Sequence, residues 1–188
     1  MTPMPNTPAD TAPKPTSAAA STSAEPTDGA AVAYHVAQLN VARLLAPIDS
    51  PQLADFVAGL NSVNLLAESS PGFVWRLIGD EADRDATYVP TVFDADVLVN
   101  LSVWEDVDSL WEFAYRGPHL EYLRRRNEWF GDIGERYQVL WWVPVGTEPT
   151  EREAADRLEH LRAHGPTPEA FTFRQRYPAP ATATTATS

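Results

Sequence analysis

The sequence predicts a single α+β domain set between two tails without structure, and three observations predict it. From Tyr34 to Tyr177, segments of strand period and helix period interleave in the order βαββα(α)βα, followed by a short arm. All six tryptophans fall between Trp75 and Trp142, so the capacity to bury apolar surface is concentrated there. Both ends are built instead from Pro, Thr, Ser and Ala, with too few large apolar groups to offset the entropy of ordering them. Residues 1–33 and 179–188 are therefore expected to be disordered, around one domain over 34–178.

Each element has its own signal. Residues 34–41 alternate as a first strand, with Gln38 and Asn40 on one face and Ala37, Leu39 and Val41 on the other. Ser50 can cap a helix that has Pro51 at its first position, and Leu53, Phe56, Val57, Leu60 and Val63 then recur at helical spacing. Pro71-Gly72 stops that helix, and residues 73–78 form a second strand rich in β-formers. A loop carrying Asp80, Glu81, Asp83 and Asp85 follows; it lacks the glycine and glutamate register of an EF-hand, so it reads as solvated.

Residues 97–104 make a third strand. Asp106 or Asp108 can cap a second helix with Val107, Leu110, Trp111 and Ala114 as its buried stripe, and Gly117-Pro118 breaks it before a continuation over 119–130. Residues 137–143 form a fourth strand whose Trp141 and Trp142 must point to opposite sides. Thr150 and Glu153 make a capping-box pattern for a last helix that stops at His164-Gly165-Pro166, and residues 170–177 read as a packed arm or added edge strand.

Charge and composition then exclude several classes of function. The formal net charge is -12, of which the first 33 residues contribute only Lys14 against Asp10, Glu25 and Asp28, so the domain itself is acidic and a nucleic-acid partner is disfavoured. The run Arg124, Arg125 and Arg126 lies in a helical pattern, points in three directions, and reads as a solvated face paired with Glu121 and Glu128. Without cysteine there is no disulfide, thiolate nucleophile, iron–sulfur cluster or thiolate-ligated haem. No apolar run reaches membrane-spanning length and no secretory leader is visible, so no membrane partner is expected and a cytoplasmic location is the default.

Gln38-Leu-Asn-Val-Ala-Arg43, Pro71-Gly-Phe-Val-Trp-Arg76, Asn100-Leu-Ser-Val-Trp104, Trp141-Trp-Val-Pro144 and His160-Leu-Arg-Ala-His-Gly-Pro-Thr-Pro-Glu-Ala-Phe-Thr-Phe173 together resemble an uncharacterised bacterial family, domain of unknown function 3291. The resemblance covers nearly the whole domain. It implies a ferredoxin-like βαββαβ core with an antiparallel sheet, an extra C-terminal helix and arm, and membership of the dimeric α+β barrel superfamily, which includes antibiotic-biosynthesis monooxygenases and haem-degrading oxygenases. A homodimer joined sheet to sheet would cover both faces of the sheet, in agreement with a fourth strand that carries a tryptophan on each side.

In such a sheet the first and third strands are central neighbours, where polar side chains are costly unless satisfied or used. Gln38 and Asn40 on the first strand and Asn100, Ser102 and Trp104 on the third would form a polar floor, flanked by Trp111, Tyr115 and His119. That floor is either a hydrogen-bond network that fixes register or a ligand site. The haem-degrading relatives place an Asn on the first strand and a His on the second helix, positions that Asn40 and His119 echo. His119 starts a helix, where the dipole favours neutral imidazole suited to base or ligand duty. His160 and His164 have metal-sharing spacing but no evident third ligand, and a helix-capping role is preferred.

Three functions remain open. The first is a cofactor-independent, monooxygenase-like or proton-transfer enzyme acting on an apolar or aromatic substrate, with His119 and Asn40 as catalytic residues and Gln38, Asn100, Trp104, Trp111 and Tyr115 binding the substrate. No cofactor and no metal are expected in it. The second fills the pocket with haem held axially by His119. The third is a non-catalytic dimeric binding or accessory module.

Overall fold

The computed structural model describes residues 32–79 and 92–181. Most of both expected tails, and the acidic loop with Asp80, Glu81, Asp83 and Asp85, lie outside the described residues. The described chain is mixed α+β: β1 (Tyr34–Leu44), α1 (Ala54–Glu68), β2 (Phe73–Arg76), β3 (Val97–Trp104), α2 (Val107–Arg116), α3 (His119–Arg125), β4 (Phe130–Gly131), β5 (Gln138–Pro144) and α4 (Glu151–His164).

All strand pairings are antiparallel. The sheet runs β2-β3-β1, and the far edge of β1 is shared by β5 along its first residues and β4 at its end. The register sets the chemistry of the two faces. Asn100, Asn40 and Gln138 lie in one row across three strands, and Ser102, Gln38 and Leu140 lie in the next. The opposite face presents Ala37, Leu39, Val99, Leu101, Val139 and Trp141, all essentially buried.

That apolar face is covered from within the chain. Ala154, Leu158 and Leu161 of α4 pack onto it, and Trp141 Nε1 donates to Glu153 Oε1 at 3.1 Å. Trp142 points the other way, against Phe171 and Tyr177 of the arm, and its Nε1 donates to the Tyr177 carbonyl at 2.9 Å. The pair of tryptophans on β5 thus has a covering for each face without a second protomer.

Local signals explain most boundaries. Asp106 accepts from the Ser109 amide at 2.7 Å and caps α2, while Thr150 accepts from the Glu153 amide at 3.2 Å and caps α4. The reciprocal half of the expected capping box is diverted, since the Glu153 carboxylate goes to Trp141. Gly165 ends α4 at φ 74°, a conformation that suits glycine, and its amide bonds to the Leu161 carbonyl. That carbonyl also accepts from Arg136, so the capping expected of the helix-end histidines is done by backbone and arginine, and His160 instead bonds Thr167 Oγ1 at 3.0 Å.

Three expectations shift. Ser50 stands at the head of a 3-10 turn over Pro51–Leu53, without a side-chain cap bond, before α1 begins at Ala54. The helix expected over 119–130 ends as α3 at Arg125 and passes through a 3-10 turn over Arg126–Glu128; the Trp129 carbonyl then accepts from the Leu45 amide and Phe130 joins the edge of β1. Burial of Trp129 against Phe56 favours this exit over another helical turn. The arm pairs with β5 only through Leu140 and Phe171, which exchange two backbone hydrogen bonds.

Candidate functional site

Between the amide-bearing face of the sheet and helices α1, α2 and α3 lies a cavity of about 450 Å³, within the size range of small-molecule sites. Its floor is Gln38, Asn40, Asn100, Ser102 and Gln138. Phe56, Leu60, Val63 and Ala67 line it from α1 at helical spacing, and Leu110, Phe113 and Ala114 line it from α2. Tyr122 reaches it from α3 because residue 59 is glycine: a Cβ there would collide with the Tyr122 phenol.

The floor is wired in one direction. Trp104 Nε1 donates to Ser102 Oγ at 3.0 Å, Ser102 Oγ donates to Gln38 Oε1 at 3.0 Å, and Gln38 Nε2 donates to Asn40 Oδ1 at 2.8 Å. The buried indole N–H of Trp104 can only donate, so it occupies one lone pair of Ser102 Oγ and leaves the hydroxyl proton free to pass on to Gln38. Asn40 ends the chain as an acceptor, which leaves its Nδ2 group as the donor at the cavity floor. The network that could fix register and the end that could bind a ligand are one structure.

His119 lines the same cavity with its ring stacked on Phe113, centroids 4.9 Å apart. Its Nδ1 lies 3.1 Å from the Ala114 carbonyl oxygen, which can only accept. Nδ1 therefore carries the proton, and Nε2 presents a lone pair that no hydrogen bond occupies among the described residues. Burial lowers the pKa of the imidazole, opposed by the bond to Ala114. Desolvation thus favours the same neutral imidazole that the position at a helix start is expected to favour. Burial likewise raises the pKa of Tyr115, with Tyr137 adding to the shift and Arg126 opposing it, so the phenol stays protonated.

Of the residues singled out from the sequence, Gln38, Asn40, Asn100, Trp104, Tyr115 and His119 all line the cavity. Trp111 does not. It turns outward, 4.2 Å from the Tyr115 ring and 5.2 Å from Phe173 of the arm, with the Arg176 guanidinium 5.9 Å from its centroid. The place expected for it is taken by Phe113, which is stacked between Trp104 at 5.0 Å and His119.

Other lining residues went unread. Gln138 becomes part of the floor only through its pairing with Asn40, a register that alternation alone does not give. Tyr122 was not singled out as a site residue, although helical spacing puts it on one face with His119, Arg126 and Trp129, all of which line the cavity, and Gly59 leaves room for its ring. Arg76 lines the cavity with its Nε on Glu68 Oε1 at 2.9 Å. Of the three consecutive arginines, Arg124 pairs with Glu121 at 3.0 Å and Arg125 with Glu128 and Asp55 at 2.8 and 3.1 Å, as a solvated face would. Arg126 lines the cavity instead, its guanidinium on Tyr137 Oη at 3.0 Å.

Among known proteins, a family described as "Domain of unknown function (DUF3291)" matches residues 35–187. No curated protein matches. The solved structure of a protein of unknown function from Nitrosomonas europaea is similar at 12% identity, over 62% of this chain and 94% of that chain, with a TM-score of 0.39.

Proposed function

The chain belongs to the DUF3291 family, and from that premise we propose that its cavity is a small-molecule active site in which His119 accepts a proton from an apolar or aromatic substrate and Asn40 holds the oxygen that becomes negative. The observation that carries this reading is the pairing of two opposite polarities on one cavity: an imidazole lone pair that no hydrogen bond occupies among the described residues, and the amide donor of Asn40, whose Oδ1 is held by Gln38. Aromatic walls fit an aromatic body, and the protonated Tyr115 adds a further donor. A phenol or quinol supplies both the acidic proton and the oxygen. In the monooxygenase-like form of this reading, the anion so produced is what dioxygen oxidises.

The fold is consistent with that assignment. An antiparallel order β2-β3-β1-β5, with helices over the amide face, supports a ferredoxin-like βαββαβ core related to the α+β barrel enzymes. The apolar sheet face through which a barrel dimer would join is occupied by α4, so a homodimer of this chain would use another surface and would not close a barrel sheet to sheet.

The experiment is a turnover and binding screen of the purified chain with quinols and polyphenols, repeated with His119→Ala. The reading predicts at least one substrate and loss of its turnover in the variant. It fails if nothing in the panel binds or reacts, or if activity survives the substitution. An imidazole with Nδ1 bonded to a carbonyl is also oriented as a metal ligand would be. A Soret band that forms on addition of haem and is abolished by His119→Ala would therefore move the assignment to haem binding.

A further inference from the structure

Arg126 is set apart from its two neighbours in the run. Arg124 and Arg125 each hold a carboxylate, whereas Arg126 has no carboxylate within ion-pair distance among the described residues. It is braced by Tyr137, whose hydroxyl accepts from the guanidinium at 3.0 Å and whose ring lies 5.6 Å below it. Tyr137 also lines the cavity and is 43% exposed, so this corner opens to solvent. Arg76, a second cation on the lining, already holds Glu68, and the lining carboxylate Asp132 accepts from the Gly134 amide. In a chain of net charge -12, a cation held at the mouth of an aromatic cavity without an ion-pair partner among the described residues offers a place for an anion.

We propose that the cavity selects aromatic carboxylates, with the substrate's carboxylate on Arg126 at the mouth and its ring running inward between the aromatic walls. The proposal rests on the small-molecule reading above and deepens it. Arg126 supplies a planar fork matched to a carboxylate, and Tyr137 keeps that fork from turning away into solvent. At the other end, a ring hydroxyl meets Asn40 and His119. Charge at the mouth and proton transfer at the floor are then separate demands on one ligand, which must be a hydroxylated aromatic acid.

Calorimetric titration of the full chain with para-hydroxybenzoate and with its uncharged amide, and with hydroxynaphthoate and its amide, separates the charge from the ring. The acids are expected to bind about tenfold more tightly than the amides, with the preference shrinking as salt is raised. Arg126→Met is expected to abolish the preference, bringing the acids down to the affinity of the amides. His119→Gln is expected to preserve it. Equal affinity for acid and amide in the wild-type chain overturns the proposal, as does a preference that survives Arg126→Met, and absence of binding by all four probes counts against both this proposal and the reading beneath it. Turnover of neutral phenols without any acid preference would refute the anion site alone, whereas an Arg126-dependent preference without turnover would refute proton transfer and uphold the anion site. Arg126 is exposed, and an unchanged melting temperature of Arg126→Met confirms that affinity, not folding, has moved.

Discussion

Gln38 Nε2 donates to Asn40 Oδ1 across 2.8 Å, two residues along one face of β1, while the other end of the same amide accepts from Ser102 Oγ at 3.0 Å. A buried amide satisfied at both ends cannot rotate without losing two bonds, so Asn40 is held with its donor group outward. The structural role of this chain and its candidate chemical role can be separated by substitution.

Ser102→Ala removes the link and leaves two buried partners, Trp104 Nε1 and Gln38 Oε1, unpaired. Each orphaned group costs about 1–3 kcal/mol, and for the two together we expect a loss of about 2–6 kcal/mol in chemical denaturation. A loss below about 1 kcal/mol would mean that the chain is not closed in solution.

Asn40→Leu and Asn40→Asp should part company. Leucine strips Gln38 Nε2 of its acceptor, whereas aspartate keeps an acceptor and loses the donor. Asn40→Asp is expected to be more stable than Asn40→Leu by about 1 kcal/mol, and both are expected to lose affinity for phenolic ligands. Parallel denaturation and binding measurements check the two halves of this statement.

Titration of His119 should be visible in stability. Its folded-state pKa lies below the ordinary 6.5 because of burial, so the unfolded chain binds the proton more readily. The stabilising contribution is fully present above pH 6.5 and is lost as pH falls through the depressed folded value. Melting temperature against pH should fall below 6.5 more steeply in the wild type than in His119→Gln. Identical slopes would remove the buried neutral imidazole from the account.

Gly59 tests the shape of the wall. Alanine is better than glycine inside a helix by about 1 kcal/mol, yet at this position its Cβ meets the Tyr122 phenol. Gly59→Ala is expected to destabilise the wild-type chain and to stabilise a Tyr122→Ala background by about 1 kcal/mol, a change of sign that a double-mutant cycle reads directly.

Much of this arrangement was legible in the residues, and what was not has physical causes. Alternation along β1 and β3 placed Gln38 and Asn40, and Asn100, Ser102 and Trp104, on single faces, because side-chain direction in a strand depends on the backbone alone. Asp106, Gly117-Pro118, Thr150 and Gly165 marked helix ends for similarly local reasons. Trp111 was misplaced because it lies at the border of α2's apolar stripe, where a step of about 100° per residue leaves two neighbours competing. Phe173 of the arm, sixty-two positions later in the chain, decides that contest. Gln138 needed the register of β5 on β1, and Arg126, in the 3-10 turn that follows α3, needed the meeting of that turn with Tyr137; both are tertiary quantities.

The most direct test of the central claim uses para-nitrophenol, whose phenolate absorbs far from its phenol. If His119 takes the proton and Asn40 holds the oxygen, the probe bound to the wild-type chain should ionise at a lower pH than the free probe, and His119→Gln and Asn40→Asp should each abolish that displacement while leaving the fold intact. A bound probe that ionises as it does in water, or a displacement unchanged in both variants, would contradict the account.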